Sequence, residues 1–373
     1  VSGGALTLFL CGDVMTGRGV DQILPYPGDP RLWESSVRDA RTYVELAERV
    51  NGRIARPVGF GWPWGDALEL LDRVAPHARV INLETSVTGG GEVAAGKAVH
   101  YRMSPDNLPG VTVARPDACV LANNHVLDFG RQGLADTLQS LATAGVPAVG
   151  AGGDLDEARR PVAIPWGDGG GGGRVWLVAF GARSSGIPDS WAAGHERSGV
   201  NLLPDLSDDT ADEIAGQVRR DRAAGDVAVV SLHWGGNWGY DVPDRHARFA
   251  RRLIDGGVDL VHGHSSHHPR PVEVYRGRLV LYGCGDMIDD YEGISGHEEY
   301  RDDLRPMYLV SVRPDTGELV ELRVAVMRAR RMRLCWASRE DTGQMRDVFD
   351  RIGRRFGTRF AADDRGLLRL LAT

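Results

Sequence analysis

Val261-His262-Gly263-His264-Ser265-Ser266-His267-His268-Pro269 places four histidines within seven residues, directly behind the apolar run Val258–Val261. The chain has 11 histidines in all, so the stretch is a strong local excess. A buried strand ending at a glycine and a histidine cluster delivers ligands into the cleft at its end. Neutral imidazole is the commonest protein ligand for zinc and also suits iron and nickel. A histidine-rich surface loop is the competing reading, and the clustering favours a metal site.

Other apolar runs end in a similar way. Leu6–Cys11 leads into Gly12-Asp13-Val14-Met15, where an Asp held among glycines can turn its carboxylate toward a cation. Arg79–Leu83 ends at Glu84, and Ala118–Ala122 ends at Asn123-Asn124-His125, with Asp128 close behind. Val227–Leu232 ends at His233-Trp234-Gly235. Such strand ends are expected to line one edge of a parallel sheet, where α/β folds keep their sites. Helices are expected over Val37–Val50, Asp66–Val74, Gln132–Ala144, Asp208–Ala224, Asp244–Asp255 and Thr342–Phe356. Val162–Pro165 with Val175–Phe180, and Val272–Tyr275 with Leu279–Tyr282, read as strand pairs, and the glycine run Gly167–Gly173 reads as a mobile turn. With no internal repeat or clear boundary, one domain is expected, with loop insertions at about 25–65 and 283–305.

Composition narrows the function classes. Hydrophobic content of 42% and charged content of 25% are those of an ordinary globular protein with a sizeable core. Net charge is −7 and the arginines are scattered, which argues against a nucleic-acid partner, whose binding draws on clustered cations. Leu6–Leu10 is too short for a signal-peptide core or a membrane span, and no basic residue precedes it. The four cysteines, Cys11, Cys119, Cys284 and Cys335, are far apart and form no C-x-x-C pair, so free thiols and a cytoplasmic location are expected.

The same residues, in order, resemble the motifs of the CapA-like proteins: Gly12-Asp13-Val14-Met15, Asn82-Leu83-Glu84, Asn123-Asn124-His125 through Gly130, His233-Trp234-Gly235, and Gly263-His264 to His267. These proteins are named for poly-γ-glutamate capsule synthesis and belong to the calcineurin-like metallophosphoesterase superfamily. The resemblance runs from about residue 6 to about residue 330. It implies an α/β fold with a two-sheet β-sandwich flanked by helices, and one or two divalent metal ions at the strand ends. The implied ligands are Asp13, Glu84, Asn124, His233, His264 and His267, and Mn, Co, Zn, Fe or Ca would suit so mixed a set. His125 matches the proton donor of related phosphoesterases. Two positions depart from the superfamily pattern: Met15 stands where a second His ligand is usual, and Glu84 replaces the bridging Asp. A weaker first metal site would follow.

Three functions are compatible with such a site. A metal-activated water could attack a phosphate ester or amide, with His125 protonating the leaving group. Alternatively, a metal could stabilise the enolate-like charge of a deprotonated Cα, with acid–base groups on both faces drawn from His125, Asp128, Asp290 and His297. A set of CapA-like enzymes that epimerises the C-terminal Trp of lasso-type precursor peptides makes that reading the favoured expectation. Its partner would be the precursor peptide, with Trp62, Trp64, Trp234 and Trp238 as candidates to receive the indole. The third is a non-catalytic accessory that binds a polymer or peptide.

Overall fold

The first apolar run forms strand Leu6–Val14, buried almost throughout, and the larger sheet is built around it. The computed structural model describes residues 4–167 and 172–371; residues 168–171, the middle of the glycine run read as a mobile turn, lie outside them. Across this sheet the strands run Phe360–Ala362, Leu368–Leu370, Leu319–Ala329, Leu304–Val312, Leu6–Val14, Ala78–Leu83, Ala118–Val120 and Ala148–Val149. Pairing is parallel from Leu6–Val14 to Ala148–Val149 and antiparallel through the C-terminal strands. Asp286–Ile288 adds beside the end of Leu6–Val14 in parallel.

The second sheet has the order Val272–Tyr275, Arg278–Leu281, Leu260–His264, Val227–His233, Arg174–Gly181 and Val162–Pro165. Its three inner neighbours pair in parallel, and both outer pairs are antiparallel hairpins. Side chains alternate between two cores, as the two-residue period of a strand requires. Val227 and Val229 join the core shared with Phe9, Val80 and Ile81 of the first sheet. Ala228, Val230 and Leu232 face the other way, into a core with Val218 of helix Asp208–Asp221 and Phe249 and Leu253 of helix Asp244–Asp255. The second sheet is therefore covered on both faces, by the first sheet and by helices. The fold is the expected α/β arrangement of two sheets flanked by helices.

Most element limits agree with the sequence reading to within a few residues. Helix Arg41–Asn51 starts later than expected, because Asp39 pairs with Arg31 instead. The strand behind the opening histidines is Leu260–His264, so it continues through His262 and His264. Among the described residues no helix is long and apolar enough to cross a membrane.

Candidate metal centre

A close approach of two glycine turns places the first carboxylate. Gly12 lies against Gly285, whose carbonyl oxygen would be 1.7 Å from a Cβ at position 12. That contact lets the Asp13 amide donate to the Gly285 carbonyl at 3.1 Å and brings Asp13 into register with Asn82 on one side and Asp286 on the other. One amide then orients two acids: Asn82 Nδ2 donates to Asp13 Oδ1 at 2.8 Å and to Glu84 Oε2 at 2.9 Å. Asn123 in turn donates to Asn82 Oδ1 at 3.0 Å. Asp13 Oδ2, fully buried, has no hydrogen-bond partner among the described residues. Burial, with Asp286 opposite, pushes the Asp13 carboxyl up to about 7. Burial and the neighbouring Asp13 also raise Glu84 well above the usual carboxylate range.

The histidines come from the other sheet, where His233 and His264 are direct register partners. Their hydrogen bonds define their ring nitrogens. His262 Nε2 donates to the Cys11 carbonyl at 2.8 Å, tying the two sheets together, so its Nδ1 accepts from Ser231 Oγ at 3.1 Å. Ser231 Oγ accepts from His264 Nε2 at 2.9 Å, which leaves His264 Nδ1 without a proton. His233 Nε2 donates to Asn124 Oδ1 at 3.0 Å, which leaves its Nδ1 bare as well. These two bare nitrogens are 2.8 Å apart. Burial, then the neighbouring imidazoles, hold both rings far below the ordinary histidine range and therefore neutral. Two facing lone pairs, with Asp13 Oδ1 4.0 Å from His264 Nδ1, form a donor set suited to a divalent cation.

Ligand atoms of Asp13, His233 and His264 lie within 4.8 Å of one another, as do those of Asp13, His267 and Asp286. The expected single sheet edge is thus corrected: the carboxylates come from one sheet and His233 and His264 from the other, and the centre lies where the strand ends of both meet. Glu84 lies alongside, with Oε1 3.7 Å from His233 Nε2. Asn124 reaches the centre through its bond to His233. Met15 is fully buried, 3.8 Å from the Tyr291 hydroxyl.

His125 stands next to this group, its Nε2 3.9 Å from Glu84 Oε1. Its Nδ1 donates to Asp128 Oδ2 at 2.6 Å, and the Tyr101 amide donates to the same oxygen at 2.7 Å. Lys97 hydrogen-bonds Asp128 Oδ1 and the Asn124 carbonyl, and its Nζ is 3.2 Å from His125 Nδ1. Burial outweighs the Asp128 charge and pushes His125 down to about 4. Lys97 was not among the expected residues, although the sequence carries a signal for it. It is the only lysine in a chain whose other cationic side chains are all arginine.

Several expected residues serve structure instead. Trp64 is fully buried and donates to the Gly110 carbonyl, and Trp234 is buried, stacked on His246 and bonded to the Tyr282 carbonyl. Both are core residues, which corrects their expected role as receivers of a substrate indole. Trp62 donates to the Arg331 carbonyl and packs against the core. Asp290 is paired with buried Arg18 and with the Gly19 amide, so it is not available as an acid or base. His297 lies flat on Trp238, with ring centroids 3.7 Å apart. Trp238 is half-buried and reaches to 5.4 Å from the His267 ring. Asp286 was missed, although Gly285-Asp286 repeats the Gly12-Asp13 pair.

A family model, the bacterial capsule synthesis protein PGA_cap, matches residues 7–291. The chain is 53% identical over 367 residues to a probable polyglutamine synthesis accessory protein of Mycobacterium tuberculosis (strain CDC 1551 / Oshkosh), covering 98% of this chain and 96% of that one. It is 24% identical over 290 residues to the PGA biosynthesis protein CapA of Bacillus subtilis (strain 168), covering 78% of this chain and 64% of that one. Among solved structures, a novel phosphatase from Mycoplasma pneumoniae matches with a TM-score of 0.44 at 10% identity, covering 87% of this chain and 93% of that one.

Proposed function

The chain belongs to the bacterial capsule synthesis protein family PGA_cap, and we propose that it is a metal-dependent hydrolase that serves as an accessory to the synthesis of a glutamate- or glutamine-based polymer. The supporting observation is the convergence of Asp13, His233 and His264 beside the His125–Asp128 dyad. A divalent cation held by those three residues supplies Lewis acidity and makes water a better nucleophile at neutral pH. His125 does the proton work. With Nδ1 committed to Asp128, its unprotonated Nε2 faces the centre, can take a proton from an attacking water and can return it to the leaving amine or alcohol. Asp128, held by Lys97 and the Tyr101 amide, keeps the ring in that tautomer.

Epimerisation at a Cα is less well supported. It needs acid–base groups on both faces of the carbon, and Asp290 is engaged by Arg18 while His297 is stacked on Trp238. The relatives' names refer to polymer synthesis, and the amide bond of such a polymer is the substrate class we favour. The test is incubation of the manganese-loaded protein with poly-glutamate and, separately, with a phosphate monoester, scoring released amine or phosphate. Amine release abolished by chelator and by His264→Ala is the expected outcome. Phosphate release alone would redirect the substrate, and no release from either would leave a binding role instead.

A further inference from the structure

The C-terminal helix Arg339–Gly353 lies beyond the residues 7–291 that the family model matches, yet it packs against the sheet that carries His233 and His264. Just past the helix, Phe356 stacks on Tyr282 with ring centroids 5.1 Å apart, and Arg355 pairs with Asp244. This seats the helix end against the segment that follows His233. The Arg351 guanidinium lies over the Tyr240 ring, 4.9 Å from its centroid. Arg351 and Arg354 are exposed, and with Tyr240, Val242 and Phe356 they line an open groove of about 330 Å³. Among the described residues neither guanidinium has a carboxylate within 4.0 Å. Asp347, one turn back, is held by Arg346 at 2.7 Å, and Asp350 accepts from the Phe360 amide at 2.7 Å. The helix dipole favours a cation at this end, but it leaves the outward N–H donors unanswered.

A band of part-exposed rings leads from this groove back to the metal centre. Tyr240 lies 5.1 Å from Tyr300, Tyr300 lies 5.1 Å from Trp238, and Trp238 lies 5.4 Å from His267. We propose that Arg351 and Arg354 form a subsite that holds side-chain carboxylates of the polymer while a bond a few units away lies at the metal centre. The inference rests on the polymer reading above and narrows it: the chain acts on a glutamate-based polymer, not a glutamine-based one. A guanidinium fork matches a carboxylate in shape and charge, and a neutral amide forms no such charge-assisted pair. The chain's net charge of −7, with Asp13, Glu84 and Asp286 at the centre, repels a polyanion, so the attraction has to come from cations set apart from those acids. The rings between offer apolar surface to the methylenes that separate the carboxylates.

The probes are a short glutamate oligomer and a glutamine oligomer of the same length. Each is titrated calorimetrically into the full chain, loaded with manganese and carrying His125→Gln so that binding is read without turnover. The glutamate oligomer should bind, more weakly as salt is added, and Arg351→Gln with Arg354→Gln should lower its affinity by about tenfold. Arg313→Gln with Arg346→Gln removes the same charge from arginines already answered by Asp315 and Asp347, and should leave the affinity unchanged. Arg354→Gln alone, which touches no ring, serves if the double variant does not fold. Equal losses in the two double variants, or a glutamine oligomer bound as tightly, would overturn the proposal. So would an oligonucleotide that binds more tightly through the same two arginines. Amine release from the chain with His125 intact, at a KM that the Arg351 and Arg354 changes do not move, would sink the subsite and keep the hydrolase reading. The expected affinity loss with no amine release at all would sink the hydrolase reading and keep the subsite.

Discussion

Arg18→Met is expected to destabilise the protein by about 4 kcal/mol without touching the metal centre. The Arg18 side chain is 3% exposed and answers two carboxylates at once, with Nη1 2.8 Å from Glu34 and Nε 3.1 Å from Asp290. Its guanidinium also lies over the rings of Tyr43, at 3.8 Å, and Tyr101, at 4.6 Å. Methionine fills similar space but removes the cation, leaving Asp290 with the Gly19 amide and Glu34 with the Tyr43 hydroxyl. Breaking one buried ion pair costs about 3–5 kcal/mol because the remaining charge is stranded. A cation–π contact adds about 0.5–2 kcal/mol. Part of this is relieved if the stranded acids take up protons, so about 4 kcal/mol is a central value. Urea unfolding measures it as a lower midpoint at unchanged slope. Asp290→Asn in the Arg18→Met background should recover part of the loss, since it removes an orphaned charge, and the two changes should be strongly non-additive. A loss below about 1 kcal/mol for Arg18→Met, or simple additivity with Asp290→Asn, would refute a structural role for Asp290.

Three more outcomes follow from particular contacts. Gly12→Ala forces a Cβ into the Gly285 carbonyl and should cost about 3 kcal/mol or more and weaken cation binding, whereas Gly59→Ala, with open space around it, should melt like wild type; equal melting of both would be the failure. His246, stacked on Trp234, is held down to about 4 by burial, below its ordinary 6.5. Its folded-state value is depressed, so its stabilising contribution is full above pH 6.5 and is lost as pH falls toward 4. Wild type should therefore lose about 2.5 kcal/mol more than His246→Gln between pH 7 and pH 4.5, and parallel losses would contradict this. Trp234→Ala should cost about 3–5 kcal/mol and Trp238→Ala only about 1 kcal/mol, checked by thermal unfolding, because the first empties a core position and the second removes a half-buried ring stacked on His297 and His268.

Much of the fold could be read locally. Leu6–Cys11, Val227–Leu232 and the hairpin over Val272–Tyr275 announce themselves because a strand's burial is written in consecutive residues. Asp13, His233 and His264 were legible for a related reason, since each stands at or just past the end of such a run. The tryptophans were not. Trp62, Trp64, Trp234 and Trp238 look alike in sequence, and only packing separates two buried N–H donors from the half-exposed ring beside His267. Asp286 and Asp290 stand four residues apart, the first opening the short strand Asp286–Ile288 and the second just past its end, yet Asp290 is paired with Arg18 while Asp286 faces Asp13.

What the sequence determined by itself was the set of strands and the chemistry at their ends, because hydrophobic period and residue type are properties of neighbours along the chain. The tertiary structure alone decided that these ends belong to two different sheets, that Lys97 and Asp286 arrive from distant segments, and which imidazole nitrogens are left bare. Those outcomes depend on side chains separated by up to 273 positions, as Asp13 is from Asp286, coming within a few ångströms. No local preference encodes such a distance; it is set by the strand pairing that seats Asp286–Ile288 beside Leu6–Val14 and by the packing of the two sheets.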